Sequence, residues 1–180
     1  MIYPWKRSPE GGSYLETDPG ETNSRAPRIS IAPDEEPILA RLFRDSFAVL
    51  EIGTGLGIST LAILSELPLA GRIVSIDPDP WVHATIWPAL SLHRRIETRA
   101  SLLPEDAGAF DGCFIDADHQ AEAVALDTAS ALNSVRPGGI IVLHDWNSEA
   151  VRMGCRRAFA GAPDSMNTTY GLGIFRRPPA

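Results

Sequence analysis

Apolar residues arrive along this chain in two rhythms. Short unbroken runs predict strands near 47–52, 72–77, 95–100, 110–116 and 139–145. Between them apolar positions recur every three or four residues and predict helices near 57–67, 80–90, 119–135 and 148–160. A further helix starts at Asp34, with Ile38, Leu39, Leu42 and Phe43 on one face. Asp34, Glu35 and Glu36 fill its first turn, where carboxylates suit the helix dipole. Strands alternating with helices predict an α/β fold class, a parallel sheet with helices on both faces. Near the end, Tyr170-Gly-Leu-Gly-Ile-Phe175 reads as a turn into a last strand.

Residues 1–28 follow neither rhythm. Pro4, Pro9, Gly11, Gly12, Pro19, Gly20 and Pro27 break any periodicity, so an irregular arm over residues 1–32 is expected ahead of one domain at 33–180. The aromatics Tyr3, Trp5 and Tyr14 predict that this arm docks on a surface.

Composition narrows the function. A chain of 180 residues, 44% apolar and 22% charged, fits one globular domain. A net charge of −7 argues against a nucleic-acid partner held by its phosphates. Arg152, Arg156, Arg157, Arg176 and Arg177 read as a solvated helix face and chain end. Cys113 and Cys155 have neither metal-ligand nor disulfide spacing. No apolar run approaches the ~18 residues of a spanning helix and no signal peptide is visible, so no membrane partner is expected and the location should be cytoplasmic.

The densest signal is Val49-Leu-Glu-Ile-Gly-Thr-Gly-Leu-Gly-Ile58: a strand reaches Glu51, then Gly53, Gly55 and Gly57 lead into a helix. A strand end, a glycine-rich turn and a helix N-terminus form the nucleotide-type site of open α/β sheets. The dinucleotide fingerprint would need glycine at Ile58. Asp77 ends the next strand, 24 residues after Gly53, where a carboxylate can accept hydrogen bonds from ribose hydroxyls. Phe114-Ile-Asp-Ala-Asp-His119 and His144-Asp145 end later strands, so Asp116, Asp118, His119, His144 and Asp145 can converge on the same edge.

Together these segments resemble the class I S-adenosylmethionine-dependent methyltransferases, and within them the metal-dependent small-molecule O-methyltransferases of the catechol, caffeoyl-CoA and natural-product sugar types. The resemblance spans roughly residues 33–177. It implies a Rossmann-like methyltransferase fold, a seven-stranded mostly parallel sheet whose last two strands form an antiparallel edge hairpin. Cofactor contacts are implied for Glu51, Gly53, Thr54, Gly55, Gly57, Asp77, Pro78, Ser101, Leu102 and Asp116, with Glu51 toward the methionine ammonium, directly or through water, and Ser101 and Leu102 toward the adenine. Asp116 and Asp145 become ligands of a divalent metal, Mg²⁺ in the first instance. His119 or Asp118 becomes the base that takes a proton from a small-molecule acceptor. The family habit of covering one active site with a neighbour's N-terminus implies a homodimer.

One departure concerns the strand-five pair. The catechol-type pattern places Asn directly after the aspartate, whereas here Trp146 intervenes, which leaves His144 or Asn147 as the third ligand. Plainer roles compete throughout: Asp116 as a helix cap, His119 as an exposed first-turn residue, His144 as an imidazole bonded to a backbone carbonyl, Trp81 and Trp87 as core packing. Two other functions share much of the pattern, a catalytically silent binding domain for the same cofactor and an NAD-dependent oxidoreductase. Ile58 and the lack of a Tyr-x-x-x-Lys pair stand against the second.

Overall fold

The computed structural model describes residues 31–179 and, as backbone, two short strands, β1 (Trp5–Arg7) and β2 (Ser13–Leu15). These pair antiparallel with Trp5 opposite Leu15, so the arm expected to be irregular contains a hairpin. The rest of the arm lies outside the described residues. The chain continues through α1 (Glu36–Phe43), β3 (Ala48–Ile52), α2 (Ile58–Glu66), β4 (Arg72–Ile76), α3 (Pro80–Thr85), α4 (Trp87–Leu90) and β5 (Ile96–Arg99). It ends with β6 (Phe110–Ile115), α5 (Ala121–Ser134), β7 (Val135–Leu143), α6 (Glu149–Ala158), β8 (Asp164–Met166) and β9 (Leu172–Arg176).

Seven strands make one sheet in the order β5-β4-β3-β6-β7-β9-β8. The first five in that order are parallel, and β9 runs antiparallel to both β7 and β8. The order reverses at β3, and there β3 and β6 lie side by side with their carboxyl ends open to a ligand.

The pleat sorts the core into two layers. Val49, Ile73, Phe114, Ile140 and Val142 face one side and pack with Leu39 and Phe43 of α1, Ile63 and Leu64 of α2, and Val82 and Leu90. Leu50, Val74, Cys113, Ile115, Ile141 and Leu143 face the other side and pack with Val124 of α5 and with Val151 and Cys155 of α6. Gly112 sets the spacing of the first layer, since a Cβ there would stand 2.8 Å from both Phe43 and Ile140. Ile31 and Ala32 are buried as well, and Ile31 belongs to the first layer. Among the described residues no helix is long and apolar enough to cross a membrane.

Three details differ from the sequence expectations. The helix expected over 80–90 is two short ones, because Pro88 has no N–H for the carbonyl of Ala84 and its ring crowds that position. The strand β7 starts at Val135, directly after α5, and a register shift against β6 between Phe110 and Gly112 absorbs the extra residues. The edge strand β8 is exposed at all three positions and so carries no apolar pattern.

Candidate active site

The glycine loop after β3 is shaped by close approach. Gly53 adopts φ 97°, and a Cβ there would stand 2.1 Å from the carbonyl oxygen of Asp116, so the loop passes directly over the end of β6. Gly57, at φ 75°, begins α2. Asp77 at the tip of β4 braces the loop. Its Oδ2 accepts from Thr54 N at 3.0 Å and Gly55 N at 3.1 Å, and its Oδ1 accepts from Asp79 N at 2.8 Å. A carboxylate offers about four acceptor directions, so Asp77 keeps capacity for a ligand's hydroxyl.

Glu51 takes a different position from the one its motif implied. Its side chain points into the α2 layer, fully buried, and accepts hydrogen bonds from the hydroxyls of Ser59, Thr60 and Ser75. Burial pushes its carboxyl up to about 7, against the opposing effect of these three donors. Ser59, whose hydroxyl donates to Glu51 at 2.6 Å, stands between that carboxyl and the cavity described next.

A cavity of about 670 Å³ opens beyond the strand ends. Gly53, Thr54, Gly55, Asp77 and Pro78 form one side, and Asp116, Asp118, His119, His144 and Asp145 form the other. Gly57, Ser101 and Leu102 do not line it. The strand β5 ends at Arg99, leaving Ser101 in solvent and Leu102 half-buried against the second core layer. Trp81 and Trp87 pack on the core as expected, and Trp81 also lines the cavity. Trp87 does stack, but on His83, with ring centroids 3.7 Å apart.

The far side of the cavity holds the reactive groups. Asp116, His119, His144 and Asp145 bring one ligand-capable atom each within 4.8 Å of one another. His144 Nδ1 lies 3.1 Å from Asp116 Oδ1 and 2.9 Å from Asp145 Oδ2, and His119 Nε2 lies 2.6 Å from Asp145 Oδ2. Asp116 therefore does not cap α5, and His144 bonds carboxylates rather than a backbone carbonyl. Asp118 is exposed on the cavity wall and accepts from Gln120 N. Asn147 is exposed, its side chain lying against Gly171, while Trp146 is buried in the second core layer. The inserted tryptophan thus serves packing, and the ligand-type groups beside the two aspartates are His144 and His119.

Asp145 sits in the left-handed region at φ 52°, uncommon outside glycine but tolerated by aspartate. Neighbouring backbone bonds from Trp146 to Gly171 and from Asn147 to Tyr170 hold that geometry. Burial opposes charge on His144, yet hydrogen bonds to Asp116, Asp145 and Glu35 outweigh it and push the imidazole up to about 12. Hydrogen bonds to Asp116 and Asp145 push His119 up to about 10. Burial works against ionised Asp145, but bonds from His119 and His144 hold it well below the usual carboxylate range.

Glu35 was read as a helix-dipole residue and does something else. It is fully buried, and its Oε2 lies 2.8 Å from His144 Nε2 and accepts from Ala32 N at 2.9 Å. Its Oε1 accepts from Thr168 Oγ1 and from Tyr170 N. Asp34 likewise bonds Thr169. Nothing local in the sequence marks Glu35 or Ser59, because their partners are far apart in the chain or silent in pattern.

The donor set fits a divalent cation. Metal–ligand bonds of about 2.1 Å place neighbouring ligand atoms about 3 Å apart, as the His144 and aspartate atoms are. Mg²⁺ prefers oxygen donors, and here an imidazole nitrogen stands among them.

Comparison with known proteins agrees with this geometry. A family model described as a methyltransferase domain matches residues 50–146. A catechol O-methyltransferase of Niastella koreensis is 30% identical, the alignment covering 82% of this chain and 79% of the relative. In fold the chain matches the Streptomyces achromogenes O-methyltransferase of tomaymycin synthesis, solved with S-adenosylmethionine (21% identity, 86% and 84% of the chains covered, TM-score 0.64). It also matches the Bacillus cereus O-methyltransferase solved with S-adenosylhomocysteine (22% identity, 82% of each chain, TM-score 0.64). The oxidoreductase alternative falls with these matches, and the chain belongs to the class I S-adenosylmethionine-dependent O-methyltransferases.

Proposed function

We propose that this O-methyltransferase methylates a hydroxyl of a small molecule held against Asp116, Asp145 and His144, with His119 as the base. One observation carries the reading: the cofactor loop with Asp77 and the His–Asp cluster face each other across one cavity. A hydroxyl of the cofactor's ribose would bond the acceptor direction that Thr54, Gly55 and Asp79 leave open on Asp77. Ser59, which donates to Glu51, would accept from the methionine ammonium and relay Glu51's charge to it. Asp116 and Asp145 hold His119 protonated while they face it alone; with a cation on these two carboxylates that support would be withdrawn and His119 Nε2 freed to take the acceptor proton. Asp118, on the same cavity wall and bonded to Gln120 N, is the alternative base. Asp116, Asp145 and His144 would hold a divalent cation, which when bound lowers the pKa of an acceptor hydroxyl. The wall around these groups orients the acceptor and excludes water.

The relative named for catechol makes adjacent hydroxyls the first acceptors to assay. Calorimetry should show S-adenosylmethionine binding, weakened by about 1–3 kcal/mol in Asp77→Ala. Turnover should fall about 10²–10⁴-fold in His119→Ala and be lost with EDTA or in Asp145→Asn. Methylation indifferent to both EDTA and Asp145→Asn would remove the cation from the reading and leave His119 or Asp118 as a metal-free base.

We also propose a homodimer in which the aromatic-bearing arm, residues 1–32, helps cover the acceptor side of a site. A cytoplasmic setting is supported by two buried free thiols, Cys113 and Cys155, and cell fractionation tests it.

A further inference from the structure

The carboxylate of Glu35 is buried with no access to the cavity, yet it reaches the one imidazole that stands at the centre of the His–Asp cluster. Its other bonds come from Ala32 N, Thr168 Oγ1 and Tyr170 N, so its position is fixed from three segments. A carboxylate facing Nε2 demands a proton there. Asp116 Oδ1 and Asp145 Oδ2 face the second nitrogen, Nδ1, in the same way, so a cation held by these two carboxylates would take the place of the Nδ1 proton while Glu35 keeps the one on Nε2. A ring edge from Tyr170, centroid 5.4 Å away, stops the imidazole from turning.

We propose that Glu35 is a positioning residue that fixes His144 as a nitrogen ligand, and that the site therefore selects a first-row transition dication over Mg²⁺. The inference rests on the divalent-cation reading above and goes further in naming the class of metal. Imidazole nitrogen suits the borderline cations from Mn²⁺ to Zn²⁺, whereas Mg²⁺ takes oxygen and keeps its water. A carboxylate on the far nitrogen of a ligating histidine fixes its tautomer and raises its basicity, and losing such a partner typically weakens metal binding about 10–100-fold. The arrangement is more than an acidic cluster, because among the described residues His144 is the one titratable side chain that Glu35 bonds.

The experiment titrates the full chain, loaded with S-adenosylmethionine, with Co²⁺ followed by its visible spectrum, then with Mg²⁺ in competition. The expected wild-type result is Co²⁺ bound at least about a hundredfold more tightly than Mg²⁺. Glu35→Ala should weaken Co²⁺ at least about tenfold and shift its spectrum, with cofactor affinity within about threefold of wild type. His144→Asn puts an amide oxygen where Nδ1 stands and should narrow the Co²⁺-to-Mg²⁺ ratio at least about tenfold. A wild-type site that takes Mg²⁺ as readily as Co²⁺ overturns the proposal, and this needs no variant to fold. So does a ratio unchanged in His144→Asn, or Co²⁺ affinity unchanged in Glu35→Ala. Binding of neither metal overturns it too, and retained cofactor binding in the same sample shows that the methyltransferase reading survives.

Discussion

At the scale of single residues, burial decides what Glu51 can be. Its carboxyl lies among three hydroxyls in the α2 layer and is pushed up to about 7 from 4.5, which makes its ionisation a stability term. The protonated form is the one the fold favours. That contribution is fully present below pH 4.5 and is lost as pH rises through 7, a swing of roughly 3 kcal/mol. Denaturant titrations should show the wild type losing stability over this window relative to Glu51→Gln. Parallel pH profiles for the two would mean that Glu51 is ionised at no cost. The motif revealed that an acid stands at this position. It could not reveal that Ser59, Thr60 and Ser75 surround it, since hydroxyls leave no periodic trace. Asp77 was legible because one β-α-β unit fixes its distance from the loop. Ser101 and Leu102 were misplaced because β5 ends earlier than its apolar residues indicated.

Among the elements, the loop between β3 and α2 and the end of β6 behave as one unit. A Cβ on Gly53 would stand 2.1 Å from the carbonyl oxygen of Asp116, so a methyl group there would displace the glycine loop and the end of β6 together. Gly108 supplies the control. It also has positive φ, at 68°, but an added Cβ would meet nothing within 4 Å. Gly108→Ala should cost about 1 kcal/mol through backbone strain alone, while Gly53→Ala should lower the melting temperature further and abolish cofactor binding. Equal melting and intact binding in the two variants would show that the close approach has no consequence. The main strands and helices were readable because each buries a full face against the sheet. The elements that escaped were those whose form is set by one covalent detail, as at Pro88, or by pairing alone, as in β8.

For the whole molecule, the question is what meets what across the chain. The arm's aromatics and the family habit of sharing N-termini predict a dimer, so light scattering at micromolar concentration should give about twice 19.5 kDa. A mass of one chain would contradict it. The convergence of strand ends on one cavity was legible from topology, because parallel strands deliver their last residues to the same edge. Glu35 was not, since it lies 109 residues from His144 and 133 from Thr168. No pattern within a window of sequence reports a bond of that span.

The bonds from Thr168 and Tyr170 to Glu35 also bear on how the protein is made. A chain emerging from the ribosome exposes Thr54, Gly55 and Asp77 early, and Asp77 bonds the other two across 23 and 22 residues. The residues that close over Glu35 come almost last. A nascent chain stalled before Thr168 would carry the cofactor loop complete, while His144 still lacked its fixed neighbour. Synthesis thus delivers the residues around the glycine loop before those that hold Glu35 beside His144.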